Sequence, residues 1–127
     1  MKLTKEDKEL IQKAENLWKE KYVPKKHSIS AIVLTSKGNI FEGMSVEDIQ
    51  TGICAERVAF FKMMPDEREI KTIVSVYKDK VIPPCGICRE IMYDMSEENL
   101  ENTWVIVSNK QKVKLKKLFP FPWKEAF

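Results

Sequence analysis

Ile53-Cys54-Ala55-Glu56-Arg57 and Pro84-Cys85-Gly86-Ile87-Cys88-Arg89 are the two stretches on which the reading of this chain turns. Between them they hold all three of its cysteines. Three thiolates suit the tetrahedral, sulfur-rich preference of zinc. Three protein ligands leave a fourth position open for water, which separates a catalytic zinc site from a closed structural one. Cys54, Cys85 and Cys88 are therefore the candidate ligands of one Zn2+ per chain. Glu56, two residues after the first of them, is the group placed to move protons to and from such a water. Both strings fall where a strand or loop gives way to a helix, so two positive helix N-termini would point at the metal. Zinc with three thiolates carries a net charge of about −1. Arg57 and Arg89 could offset it by donating hydrogen bonds to the sulfurs.

Two plainer readings compete. A Cys-x-x-Cys pair alone also suits a redox dithiol, although Pro84, the third cysteine and the Cys-Ala-Glu string argue against it. His27, the only histidine, could instead close a structural Cys3His site.

Outward from the motifs, Thr4 followed by Asp7 predicts a helix start, and Leu10, Ile11, Ala14, Leu17 and Trp18 recur at helical spacing until Pro24 ends the run. Ile29 to Thr35 reads as a buried strand, Lys37-Gly38-Asn39 as a turn, and Ile40 to Met44 as the return strand. A helix is expected from about Cys54 to Met64, stopped by Pro65. The β-branched run Ile70 to Tyr77 predicts a strand, and Gly86 to Met95 a helix after Pro83 and Pro84. A strand from Thr103 to Val107, a turn at Asn109 and a short strand around Lys112 to Leu115 complete the order. Such alternation points to an α/β sandwich with one central mixed sheet, expected as a single domain over residues 1–127.

The bulk properties agree. A chain of 127 residues supports one real core, and 43% hydrophobic with 32% charged residues fits an ordinary soluble protein. No run approaches the roughly 20 apolar residues of a membrane span, and the start, Met1 to Asp7, lacks an apolar signal segment. An odd number of cysteines argues against a secreted disulfide framework, so a cytoplasmic location is expected. A net charge of +3 is too mild to imply nucleic acid as a partner. Lys110, Lys112, Lys114, Lys116 and Lys117 read as one strand face or an edge protected by charge, in preference to a phosphate site.

With Gly38-Asn39-Ile40-Phe41-Glu42-Gly43, Thr51 to Ala59, Pro84 to Glu90 and Leu118-Phe119-Pro120 in place, the chain resembles the cytidine deaminase family, specifically its small, single-domain, homotetrameric zinc type. It is also similar to blasticidin-S deaminase, notably over Ser28 to Leu34. The resemblance implies a three-layer α/β/α sandwich with a five-stranded mixed sheet. It implies zinc-dependent hydrolytic deamination of cytidine or deoxycytidine to uridine or deoxyuridine with release of ammonia, a reaction of pyrimidine salvage. Cys54, Cys85 and Cys88 would be ligands, and Glu56 would pass protons to the ring N3 and the leaving amine. The backbone near Ala55 and Pro84 would hold the base edge.

The chain departs from the family where the sugar binds. An Asn-x-Glu pair there is replaced by Ser45-Val46-Glu47, and a serine cannot offer an amide's paired donor and acceptor. An entrance aromatic is replaced near His27-Ser28. Ser45, Glu47 and His27 are thus the expected sugar-side contacts, and a modified cytosine nucleoside such as blasticidin S is the alternative substrate. A non-catalytic structural zinc protein is the alternative of another class. Nucleic-acid editing is disfavoured, since such enzymes more often use His where Cys54 stands. The run Phe119-Pro120-Phe121-Pro122-Trp123 reads either as a tail packed on its own domain or, as the resemblance implies, as a contact between subunits of a homotetramer.

Overall fold

The computed structural model describes residues 1–127. Helix α1 (Lys5–Lys21) opens on a capping box: Asp7 N–H donates to Thr4 Oγ1 at 3.1 Å, and Thr4 N–H donates to Asp7 Oδ2 at 2.8 Å. Leu10, Ile11, Ala14 and Leu17 form its buried stripe. A hairpin of β1 (Ser30–Thr35) and β2 (Ile40–Met44) follows, then α2 (Ala55–Met63), β3 (Ile70–Tyr77) and a short β4 (Lys80–Val81). Next come α3 (Gly86–Met95), a single-turn α4 (Asn99–Asn102), β5 (Trp104–Ser108), β6 (Gln111–Lys114), a single-turn α5 (Leu115–Leu118) and a 3-10 turn over Trp123–Ala126.

The strands form one mixed sheet in the order β2-β1-β3-β5-β6, with β4 paired antiparallel on β3. Only β3 and β5 run parallel, and α3 makes the crossover between them. The expected five-stranded path is present, and β4 adds a sixth strand hidden between the turn residues Lys78-Asp79 and Pro83. Side-chain alternation divides the core into two layers. Ile32, Leu34, Val74, Val76 and Ile106 face α1 with Leu10, Ala14 and Leu17, whereas Val33, Ile73 and Val105 face α2 and α3 with Phe60, Met63 and Met92. β1 is buried at all six positions, which is why Ser-Ala-Ile-Val-Leu-Thr lacks polar alternation. Each fully buried Ile, Phe or Met contributes about 1.5–3 kcal/mol.

The expected single face of strand lysines is not formed: only Lys112 and Lys114 lie on β6, Lys110 precedes it, and Lys116 and Lys117 lie on α5. β6 is indeed an edge strand, but Lys112 turns inward and pairs with Asp7 at 2.8 Å, with 8% and 2% of the two side chains exposed. Asp7 therefore caps α1 and pins it to the far edge of the sheet. The neighbouring Lys110 and Lys117 remain exposed.

Candidate active site

β2 and the start of α2 touch backbone to backbone at Gly43, where a Cβ would lie 2.3 Å from the Ala55 carbonyl oxygen. The loop between them is closed by a reciprocal pair, Val46 N–H to Ile53 O at 2.9 Å and Ile53 N–H to Val46 O at 2.8 Å, across a left-handed Gly52. That closure delivers Cys54 to the N-cap of α2. Cys85 occupies the N-cap of α3, and the loop before it is fixed to the sheet by Ile82 N–H donating to Ser75 O at 2.9 Å.

The two helix starts bring the sulfurs together. Cys54 Sγ lies 3.6 Å from Cys85 Sγ, and Cys85 Sγ lies 3.7 Å from Cys88 Sγ. All three lie within 4.8 Å of one another, with no other metal-ligating side chain in the cluster. Sulfurs each about 2.3 Å from a tetrahedral zinc sit roughly 3.8 Å apart, so this donor set and spacing fit that ion. All three thiols are unbridged. Burial opposes ionisation of Cys85, but the backbone N–H groups of Cys88 and Ile87 and the two neighbouring sulfurs hold its thiol below the usual range. Burial, and then the negative charge of Glu56, push the Cys88 thiol far up. A divalent cation is what would let all three be thiolates at once.

Glu56 is 5% exposed and lines the same cavity as Cys54 and Cys85. Burial raises its pKa above the ordinary carboxylate range, partly offset by its own backbone N–H, the Ser75 hydroxyl and nearby Arg57. Ile29, Ser45, Cys54, Ala55, Glu56, Ser75, Ile82, Pro83 and Cys85 line an open cavity of about 150 Å³, from which Cys88 is absent. Ser75 was not among the residues expected from sequence. Its signal is that it is the one serine in a mostly β-branched strand.

The arginines divide. Arg57 Nη2 lies 3.6 Å from Cys54 Sγ, and that bond is the main reason its guanidinium is held still more firmly charged than usual. Arg89 does not reach a sulfur. Its Nε donates to Pro84 O at 2.9 Å and its Nη1 to Leu118 O at 3.0 Å, so it braces the loop before α3 against α5. Pro84 is buried with that carbonyl occupied, and Pro83 rather than Pro84 lines the cavity.

Of the residues expected to contact a sugar, Ser45 lines the cavity, whereas Glu47 and His27 do not. Ser45 Oγ accepts from Ser28 N–H at 3.0 Å and Ile29 N–H at 2.9 Å, and donates to Glu47 Oε2 at 2.5 Å. His27 Nδ1 lies 2.7 Å from Ser45 O. His27 is therefore engaged on the main chain, apart from the sulfurs, and a closed Cys3His site is not formed.

A family model for the "cytidine and deoxycytidylate deaminase zinc-binding region" matches residues 4–101. A probable cytidine deaminase of Dictyostelium discoideum is 42% identical over 86 residues, 63% of this chain and 58% of that protein. The chain thus spans less than two thirds of that relative. A blasticidin-S deaminase of Bacillus cereus is 28% identical over 108 residues, 76% of this chain and 77% of that protein. In three dimensions the crystal structure of the Mycobacterium tuberculosis cytidine deaminase superposes with a TM-score of 0.75, covering 91% of this chain and 94% of that one at 21% identity.

Proposed function

The chain belongs to the cytidine and deoxycytidylate deaminase family, and from that premise we propose that it catalyses hydrolytic deamination of cytidine and deoxycytidine to uridine and deoxyuridine, releasing ammonia. The observation that carries this reading is the cluster of three cysteine sulfurs, two of which, Cys54 and Cys85, share one cavity with Glu56. Cys54, Cys85 and Cys88 would hold zinc. When bound, the metal supplies Lewis acidity, which makes water nucleophilic near neutral pH. Everything else falls to the protein. Glu56, buried and held above the usual carboxylate range, would relay the two protons of the attacking water in turn, the first to the ring N3 and the second to the leaving amine. The Ala55 backbone and the Pro83–Pro84 segment would hold the base edge, and Ile29 and Ile82 would exclude water from its faces. Arg57 would temper the charge of the thiolates.

The cavity is about 150 Å³, half the lower end of the roughly 300–1,000 Å³ common for small-molecule pockets. It suits a pyrimidine ring and leaves the sugar at its mouth. Phe61, Ile87, Phe121, Trp123 and Phe127 are 54–97% exposed, which supports assembly into a homotetramer whose neighbours cover the site. A monomer by size-exclusion chromatography with light scattering would remove that part. No helix is long and apolar enough to cross a membrane, and unbridged thiols suit a reducing, cytoplasmic setting for pyrimidine salvage.

The test is ammonia release by zinc-loaded protein, with ultraviolet loss of the cytosine chromophore followed in parallel and Glu56→Ala as the blank. Cytidine, deoxycytidine, deoxycytidine monophosphate and blasticidin S are compared. Turnover of blasticidin S alone would shift the substrate to a modified cytosine nucleoside. Silence on all four, with zinc bound one per chain, would leave a structural metal site.

A further inference from the structure

We propose that Lys2, Lys8 and Lys110 form a binding site for a chain of phosphoryl groups, on the side of the sheet opposite the cysteines. The site is independent of the deaminase reading and stands or falls without it.

A cavity of about 290 Å³ is lined by Lys2, Leu3, Lys8, Asn109 and Lys110. It lies between the first turn of α1 and the turn that joins β5 to β6, and α1 packs on the sheet face away from α2 and α3. A ligand there does not reach the sulfurs or Glu56. No carboxylate lines the cavity, and neither Glu9 nor Asp79, which neighbour these segments, takes part. The acids in the first turn of α1 are engaged elsewhere: Glu6 pairs with Lys71 at 3.1 Å and Asp7 with Lys112 at 2.8 Å. Lys2, Lys8 and Lys110 are all exposed, and none of them forms an ion pair. Three like charges around one opening repel each other, and a polyvalent anion turns that repulsion into attraction.

The frame that carries the lysines is held by hydrogen bonds. Lys112 N–H donates to Met1 O at 3.0 Å, and Lys2 bridges antiparallel to Gln111, which lays the first residues along β6. Asn109 Oδ1 accepts from Val81 N–H and its Nδ2 donates to Asp79 O, both at 3.1 Å. Lys110 N–H donates to Ser108 Oγ at 3.2 Å. The Thr4–Asp7 capping box fixes the segment that bears Lys8. Three stems are thus positioned on three separate segments, while their ammonium heads can close on a ligand.

The lining selects the ligand. Ammonium groups are compact point charges that suit phosphoryl oxygens, whereas a planar carboxylate is better matched by an arginine fork. Three cations exceed the charge of about −2 on a phosphate monoester and match a di- or triphosphate better. Leu3 is the only apolar lining residue, and no aromatic ring is present to stack a base. The phosphate chain is therefore the group recognised, whether free or carried by a nucleotide.

Isothermal titration calorimetry of the zinc-loaded protein with sodium tripolyphosphate tests this, with adenosine triphosphate and orthophosphate as further arms. Tripolyphosphate should bind one per chain, and more weakly as salt rises. Lys2→Gln, Lys8→Gln and Lys110→Gln should each weaken binding about fivefold, and the three together about 100-fold. Lys19, Lys25 and Lys117 are exposed and outside the cavity; changing all three to Gln removes the same net charge and should leave binding unaltered. Equal loss in both triple variants would reduce the effect to net charge and overturn the proposal. Binding that survives in the first triple variant would also overturn it, since that variant keeps the cysteines and with them any heat from chelation of zinc. Orthophosphate binding as tightly as tripolyphosphate would overturn the assignment to a phosphate chain. Adenosine triphosphate matching tripolyphosphate supports a free chain as sufficient, and tighter binding of the nucleotide supports a nucleotide as the source. The single variants decide the outcome if the triple variant folds poorly.

Discussion

Gly43→Ala should disable this protein without touching a chemical group. An added Cβ would stand 2.3 Å from Ala55 O, 2.8 Å from Ala59 N and 3.0 Å from Val58 Cβ. The first two atoms are backbone of α2, so no side-chain rotation can make room. The nearest contact is about 1 Å inside the 3.4 Å at which ordinary contact begins, so β2 and the first turn of α2 must separate by about that much. Ala55 lies between Cys54 and Glu56, and the displacement passes to both. Overpacking of this kind costs about 1–3 kcal/mol, which for a chain of this size lowers Tm by roughly 3–15 °C. A misplacement of about 1 Å costs on the order of 100-fold in rate. The assay is kcat/KM for cytidine, with zinc per chain and Tm measured on the same preparation. Gly86→Ala is the control: it adjoins a metal-ligand candidate, but its Cβ meets nothing within 4 Å and its φ is not positive, so stability should stay within about 0.5 kcal/mol. Wild-type Tm and kcat/KM in Gly43→Ala would refute the claim that this backbone contact sets the site.

Further outcomes follow from the same geometry. Glu56→Gln should lower turnover by about 10²–10⁴ while zinc content holds and Tm stays level or rises, because a neutral group replaces a buried carboxyl; lost zinc with retained turnover would contradict it. Dialysis against a chelator should lower Tm and zinc should restore it, whereas Cys88→Ala, lacking a buried sulfur, should show no zinc-dependent recovery by differential scanning. Arg57→Ala should weaken zinc affinity or activity by about 10–100-fold in a competition titration, and Arg89→Ala should not change the thiolate–metal absorbance spectrum. The pKa of Asp7 is held low chiefly by its bond to Lys112, against the pull of burial. Its contribution to stability is therefore full above about pH 4, the ordinary aspartate value, and is lost as pH falls through the lower folded value. Asp7→Asn should cost about 3–5 kcal/mol at neutral pH and flatten that acid limb in denaturant titrations.

The sequence was most legible where local chemistry decides local structure. The Thr4–Asp7 capping box, the Pro65 stop and the β-branched run Ile70–Tyr77 each announce an element whose bounds fall within a residue or two of those observed. The metal strings were legible because cysteines near helix starts have few other uses. What escaped was decided by partners far along the chain. β4 is two residues long and exists because Val76 and Val81 pair. Lys112 looked like a solvated strand lysine, and only α1 docking turns it inward. Arg57 and Arg89 both lie in the first turns of the helices that carry the cysteines, yet Pro84 and Leu118 draw Arg89 away from the sulfurs. Ser75 escaped because nothing near it in sequence states that Glu56 will lie beside it. That Ser45, Glu47 and His27 would be joined by hydrogen bonds depends on Ser28 and Ile29, whose amides close on Ser45 only through the fold.

Two features indicate that this region is arranged for chemistry ahead of stability. Ser75 serves both halves of the site: its hydroxyl favours the charged form of Glu56, and its carbonyl receives Ile82 N–H at 2.9 Å, holding the loop that leads to Cys85. Carboxyl and second ligand string are thereby referenced to one residue of a rigid central strand, which limits their relative motion more than two separate anchors would. Arg57 gives the complementary case. Its Nη2 reaches Cys54 Sγ, while its Nε is buried with no partner. An unpaired buried donor costs about 1–3 kcal/mol, and the weak contact to sulfur at 3.6 Å does not return that while the sulfur is a neutral thiol. The guanidinium is poised for a more negative neighbour than three neutral thiols, which is what cysteine ligands become when they close on a metal.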